Sequence, residues 1–200
     1  MNAASQNPTS FSPAMRAIHW LTLLLLMATY SAAWVAHSGL AGEWFRPLFD
    51  VHRSLGLTVL GLTVMRLVWR RYARVPGLPD DLHPLQKIAA RGTQVLLYLL
   101  LFLQPLLGLL QTGARGQPVN FYFLVALPPV IGTDRPLARE LHDLHALSAN
   151  ALLILIGLHS AAALFPHVLR GDDVLNAMLP SRLRGVGRSA FALVLPKRQT

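Results

Sequence analysis

Two hundred residues and 22.0 kDa would suit one soluble domain, but 53% apolar against 14% charged residues, with mean hydropathy +0.43, exclude disorder and point to lipid. The formal charge of +9 is carried by too few charged residues to build a polyanion groove, so no nucleic-acid partner is expected. With no cysteine, disulfides, thiolate zinc, iron–sulfur clusters and thioether-bound haem are excluded, and eight histidines are the soft ligands left.

The stretches 17–42, 92–114 and 144–169 contain no Asp, Glu, Lys or Arg, and each exceeds the roughly 20 residues that cross a bilayer core. The first helix is expected over 13–37. Ser12-Pro13 starts it as a cap residue followed by proline, which brings Arg16 and His19 into its first turns. A cleaved signal peptide is not expected, because residues 1–10 lack Lys and Arg and no A-x-A site follows the apolar run. A second helix, 47–70, contains Arg53 and Arg66 near its ends, where long side chains can snorkel to the headgroups. A third covers 88–112. Segment 116–133 is uncharged but broken by Pro118, Pro128 and Pro129, so it reads as an interfacial loop. The fourth and longest helix, 136–168, begins after Asp134-Arg135-Pro136. Residues 1–180 form one transmembrane domain, and 181–200 a flexible basic tail.

The expected fold class is all-α: an integral membrane four-helix bundle of up-down topology. Four spans put both termini on one side. That side carries Arg16, the Arg- and Lys-bearing 66–91 segment and the basic tail, whereas the other has only Arg46, Arg53, Arg115, Arg135 and Arg139. The excess of cations places both termini in the cytoplasm. The outer cations are nearly balanced by Glu43, Asp50, Asp134, Glu140 and Asp143, so local geometry decides what they attract.

Ionisable groups inside spans are costly and mark function. Four histidines lie within or beside the apolar segments: His19 in helix 1, His52 in helix 2, and His145 and His159 in helix 4. The last two are 14 residues apart, which leaves them about 40° from eclipsed and roughly 21 Å apart along the axis. His142 is offset by about 100° from His159 and is the poorer partner. Helix 1 runs outward and helix 4 inward, so His19 and His159 share the inner level. His52 and His145 share the outer one. Two facing pairs at two heights describe two haem groups with bis-imidazole iron. Gly56, one turn after His52, and Gly157 would let a planar ring approach the backbone, although plain helix packing uses glycine equally.

The segments Ala17-Ile18-His19-Trp20, Val51-His52-Arg53-Ser54-Leu55-Gly56, Leu144-His145-Ala146-Leu147-Ser148-Ala149-Asn150 and Gly157-Leu158-His159-Ser160-Ala161-Ala162-Ala163-Leu164 resemble the bacterial cytochrome b561 family. The resemblance covers about residues 12–180 and rests on four histidines in this order. It implies two non-covalent haem b groups, electron transfer involving quinone, and location in the bacterial inner membrane. The best understood members are superoxide oxidases, which pass electrons from periplasmic superoxide to ubiquinone. The corresponding expectation is a superoxide:ubiquinone oxidoreductase. The alternative is a cytochrome b subunit relaying electrons between a dehydrogenase or hydrogenase, an extrinsic redox protein, and the quinone pool. A further alternative is a transporter or structural protein whose histidines only pack or relay protons.

Arg53 and Arg115, if they converge over the outer haem, would attract a small anion such as superoxide. They could equally pair haem propionates or acidic neighbours. His167, two turns after His159, could donate to a quinone carbonyl, with Arg16 and Trp20 flanking the pocket. Arg16 and Trp20 also suit interfacial anchors. His37, 18 residues after His19, falls on the same helical face, but Ser38-Gly39 reads as a helix end and makes it a loop residue. His83, before Pro84, is expected in solvent.

Overall fold

The computed structural model describes residues 10–73, 75–78, 82–170 and 175–179, with the side chains of 166–170 excepted. Four helices carry the fold: α1 (Pro13–His37), α2 (Phe45–Tyr72), α3 (Pro84–Ala114) and α4 (Arg135–Arg170). All four contain windows long and apolar enough to cross a membrane. The chain is an integral membrane helical bundle.

The local starts follow from the sequence. The Ser12 hydroxyl accepts from the Met15 amide at 3.4 Å, and Pro13 occupies the first turn, where a missing N–H costs nothing. α3 starts earlier than the composition suggested. His83, exposed as expected, accepts from the Leu85 amide at 3.3 Å, while the Gln86 side chain accepts from the His83 amide at 3.1 Å, forming a capping box around Pro84. Asp134 caps α4 through the Leu137 amide at 3.0 Å.

α1 packs along α2, α3 packs along α4, and α2 meets α3 more sparsely. The result is two antiparallel pairs with a seam between them. Val59, Leu101 and Leu152 form the buried cluster, with Leu25, Leu26, Leu97, Leu100 and Ile156 against it. Large apolar side chains such as Leu24, Leu147 and Ile154 point outward, Leu147 being 68% exposed. That distribution suits lipid as the surrounding solvent. Thr22, Thr29, Thr63 and Thr112 are buried, and each hydroxyl donates to the carbonyl four residues back at 2.7–2.8 Å, so none is left unpaired in a low dielectric.

The 116–133 segment departs from a plain loop. Strands β1 (Val119–Phe121) and β2 (Val125–Leu127) pair antiparallel, with Asn120 opposite Ala126. The tip places Tyr122 and Phe123 at φ 48° and 61°, a conformation for which the sequence supplies no glycine. Ser54 compensates. Buried on α2, it accepts from the Tyr122 amide at 2.8 Å and donates to the Asp50 carbonyl at 2.7 Å, while Tyr122 and Thr58 share a hydroxyl contact at 2.8 Å. The hairpin lies at the end of the bundle away from the start of α1. That end is called far and the other near.

At the near end, residues 175–179 turn back onto α1. The Phe11 amide reaches the Ala177 carbonyl at 3.2 Å, Arg16 Nη1 the Leu179 carbonyl at 2.8 Å and Trp20 Nε1 the Met178 carbonyl at 3.0 Å. The expected tail, 181–200, lies outside the described residues.

Candidate functional site

The four expected histidines meet in the seam as two pairs. His52 of α2 faces His145 of α4 with ring centroids 6.2 Å apart and planes at 78°. His19 of α1 faces His159 of α4 at 6.3 Å and 68°. The first pair lies toward the far end and the second toward the near end, about four turns of α4 apart. Among the described residues, no three His, Asp or Glu side chains gather as a ligand set for a bare metal ion. The imidazoles come in twos, which suits a metal that brings its other ligands with it.

Haem iron is such a metal, and the separations fit it. Two nitrogen–metal bonds of about 2 Å and two half-widths of an imidazole span about 6 Å. The far pair is also oriented for ligation. His52 Nδ1 lies 2.9 Å from the Thr29 carbonyl and His145 Nδ1 3.1 Å from the Gln104 carbonyl. A carbonyl only accepts, so each Nδ1 carries the proton and each Nε2 keeps a free lone pair, the form a metal would need. Gln104 completes the arrangement from α3: its Nε2 donates to the His145 carbonyl at 2.9 Å, and its Oε1 accepts from the Ser148 hydroxyl.

Gly108, one turn after Gln104, is a second support. A Cβ there would stand 3.1 Å from His145 Cε1, closer than ordinary van der Waals contact. A cavity of about 630 Å³ opens beside this pair, lined among others by Gly56, Gly108, Arg53 and Arg115. Its volume is within the range of cofactor and ligand pockets.

The near pair is held differently. His19 Nδ1 is 3.1 Å from Arg66 Nη1, and the Trp20 ring meets the His19 ring edge-on at 5.5 Å. Arg66 therefore does not snorkel to the headgroups as expected. Its guanidinium turns inward, stands over the Tyr98 ring at 5.5 Å and keeps its Nε buried without a partner.

The remaining expected residues separate into groups. Arg53 and Arg115 do line one cavity with His52 and His145. Arg53 is tied to Asp50 Oδ1 at 3.2 Å and to Gln117 Oε1 at 3.2 Å, whereas Arg115 is the exposed residue that ends α3. Gly56 faces the same cavity, and a Cβ at Gly157 would meet nothing within 4 Å. His37 is helical rather than in a loop: it is the last residue of α1, held by the Ala33 carbonyl at 2.8 Å and by the Phe49 ring at 5.2 Å. α1 ends at the expected residue, just before the Ser38-Gly39 stop, and the His37 side chain is exposed. His142 lines the cavity beside His145. Arg16 and Trp20 spend donors on the 175–179 turn, and the side chain of His167 lies outside the described residues.

Gln104, Gly108, Thr29 and the inward role of Arg66 were not singled out in the sequence. Gln104 left a signal, since an amide deep in a charge-free span is costly unless partnered. Tyr30 left a similar one: its hydroxyl donates to the Ala149 carbonyl at 2.7 Å and links α1 to α4 across the seam. Thr29 contributes only its backbone, which no side-chain pattern reveals.

A sequence profile described as prokaryotic cytochrome b561 matches residues 10–181. Among individual relatives, cytochrome b561 homolog 2 of Escherichia coli K12 is 26% identical over 179 residues, covering 88% of this chain and 94% of the relative. Probable superoxide oxidase CybB of Yersinia pestis is 32% identical over 167 residues, covering 82% and 93%. Cytochrome b561 homolog 1 of Escherichia coli K12 is 28% identical over 176 residues, covering 86% and 98%.

Proposed function

The chain belongs to the prokaryotic cytochrome b561 family of haem b-binding membrane electron carriers, and on that premise we propose that it is a superoxide:ubiquinone oxidoreductase of the bacterial inner membrane. The observation that carries this reading is the pair of imidazole couples, each about 6 Å across, at two heights in one seam. Haem b bound at both couples supplies reversible one-electron storage near each membrane face.

The residues of the chain do the rest. His52 and His145 present Nε2, with Nδ1 fixed by the Thr29 and Gln104 carbonyls, so no ring flip is needed to ligate iron. With both imidazoles of a couple holding one iron no open position would remain, which favours outer-sphere electron transfer over oxygen chemistry at the metal. With the far end periplasmic, Arg53 and Arg115 set positive charge at the cavity beside the outer couple and raise the encounter rate of a small anion. Asp50 partly offsets Arg53, so Arg115 contributes the freer charge. Quinone reduction needs two electrons and two protons, and the near end, by His19 and His159, is the cytoplasmic side from which protons come. His167, Arg16 and Trp20 belong to that end, with His167 as a donor to a quinone carbonyl.

The test uses detergent-purified full-length protein. The expected result is two haem b per chain, with His52→Ala and His145→Ala each losing one and His19→Ala and His159→Ala each losing the other. Stopped-flow mixing with superoxide should reduce haem faster than superoxide disappears spontaneously, and a soluble ubiquinone should reoxidise it. A colourless protein overturns the haem sites. A two-haem protein that superoxide does not reduce overturns the donor alone.

A further inference from the structure

The near site contains a group of polar side chains with no stated role. Arg66 and Arg70 lie four residues apart on α2 and so share one face of the helix. Opposite them on α3 stand Gln94 and Tyr98, also four residues apart. Arg70 Nη2 reaches Gln94 Oε1 at 3.4 Å, and the Arg66 guanidinium covers the Tyr98 ring. Three polar atoms of this group are buried without a partner: Arg66 Nε, Arg70 Nη1 and the Tyr98 hydroxyl. The ion pair Arg53–Asp50 lies at the far end, and neither Arg66 nor Arg70 is ion-paired to a described carboxylate. Two half-buried guanidiniums in a lipid-embedded bundle, with no carboxylate against them among the described residues, are costly unless an anion meets them.

The Arg66–His19 contact shows where that anion enters. A guanidinium only donates, so His19 Nδ1 accepts here and the ring proton sits on Nε2. His52 and His145 have the opposite tautomer, set by carbonyls. Iron at His19 Nε2 needs that lone pair. With iron there the ring proton would have to sit on Nδ1, where it would face the Arg66 donors and disfavour the present contact. The displaced guanidinium, already short of one acceptor at Nε, requires a new anionic partner within reach of His19.

We infer that Arg66, with Arg70 and the Tyr98 hydroxyl, forms a carboxylate-binding subsite for the propionates of the porphyrin held by His19 and His159. The inference rests on the haem reading above. It adds that the near site recognises the acid groups of its cofactor, and that before loading the same arginine occupies the His19 ring nitrogen opposite the one that would ligate iron. A lipid phosphate is the competing anion, but it would not arrive together with the event that releases Arg66 from His19.

The test isolates the near site in full-length His52→Ala protein, produced without haem and titrated in detergent with haem b or with haem b dimethyl ester, whose carboxylates are blocked. The Soret band reads binding. With Arg66 present, free-acid haem should bind about ten- to a hundredfold tighter than the ester, the range for charge-assisted hydrogen bonds. Arg66→Leu should remove most of that preference by weakening the acid form, and Arg66→Lys should keep part of it. A packing role would weaken both porphyrins alike. Equal binding of acid and ester with Arg66 in place overturns the inference even if the leucine variant fails to fold, and so does a preference that survives Arg66→Leu. Absence of any Soret band in the His52→Ala protein overturns the imidazole-pair reading itself, and the inference with it.

Discussion

At the residue scale, the far imidazoles are held from behind before any cofactor arrives. Thr29 and Gln104 carbonyls fix their tautomers, and Gly108 leaves room for the His145 ring. Gly108→Ala sets two effects against each other. Alanine favours the helix by about 1 kcal/mol, but its methyl would press on His145 Cε1 from 3.1 Å. The helix gain does not restore the ring position. The expected outcome is about tenfold weaker haem binding at the far site, with the near site unchanged, read by haem titration in the His19→Ala and His52→Ala backgrounds. Arg115→Gln tests the anion role: reduction by superoxide should slow about two- to threefold at low ionic strength, and the difference should vanish in about 0.5 M salt. Haem content should stay at the wild-type level. Loss of haem would instead assign Arg115 to the propionates. The paired histidines could be read from the chain because a titratable ring at membrane depth stands out. Arg66 could not, because an arginine near a helix end has a cheap alternative in the headgroups, and only the position of His19 on the neighbouring helix shows that it turns inward.

At the element scale, the helix starts were written locally, in Ser12-Pro13, His83-Pro84 and Asp134. The hairpin was not. Its residues 119–127 include proline neighbours and lack an Asn-Gly turn, and two non-glycine residues with positive φ cost about 1–3 kcal/mol each. Contacts from α2 supply the compensation, chiefly through Ser54, which is fully buried at 0% exposure. Ser54→Ala should therefore destabilise the hairpin by about 1–2 kcal/mol. Amide exchange over residues 119–127 should accelerate while the helical circular dichroism is unchanged. Equal protection in both proteins would remove Ser54 as the anchor. Since Asn120 also donates to Asp50 Oδ2 at 3.1 Å, and Gln117 meets Arg53, loosening the hairpin should also perturb the charged rim of the far cavity.

At the scale of the whole molecule, charge and geometry point to the same layout. In the sequence most cations fall in the segments that begin α1, join α2 to α3 and follow α4, and the two imidazole couples stand at different depths between the near end and the hairpin. A reporter joined after Thr200 tests the orientation: green fluorescent protein should fluoresce and alkaline phosphatase should be inactive, as for a cytoplasmic terminus. The opposite pattern would reverse the assignment of the superoxide and quinone sides. By itself the amino-acid order determined the four spans, their alternating direction and the histidines that face one another, because lipid forbids unpaired backbone and charges ionisable groups heavily for entry. Only the tertiary structure decided the seam between two helical pairs, the carbonyls that hold the far imidazoles, the inward turn of Arg66 and the clasp of 175–179 on Arg16 and Trp20. Each of those depends on backbone atoms or on neighbours many residues away, and neither leaves a periodic trace in the chain.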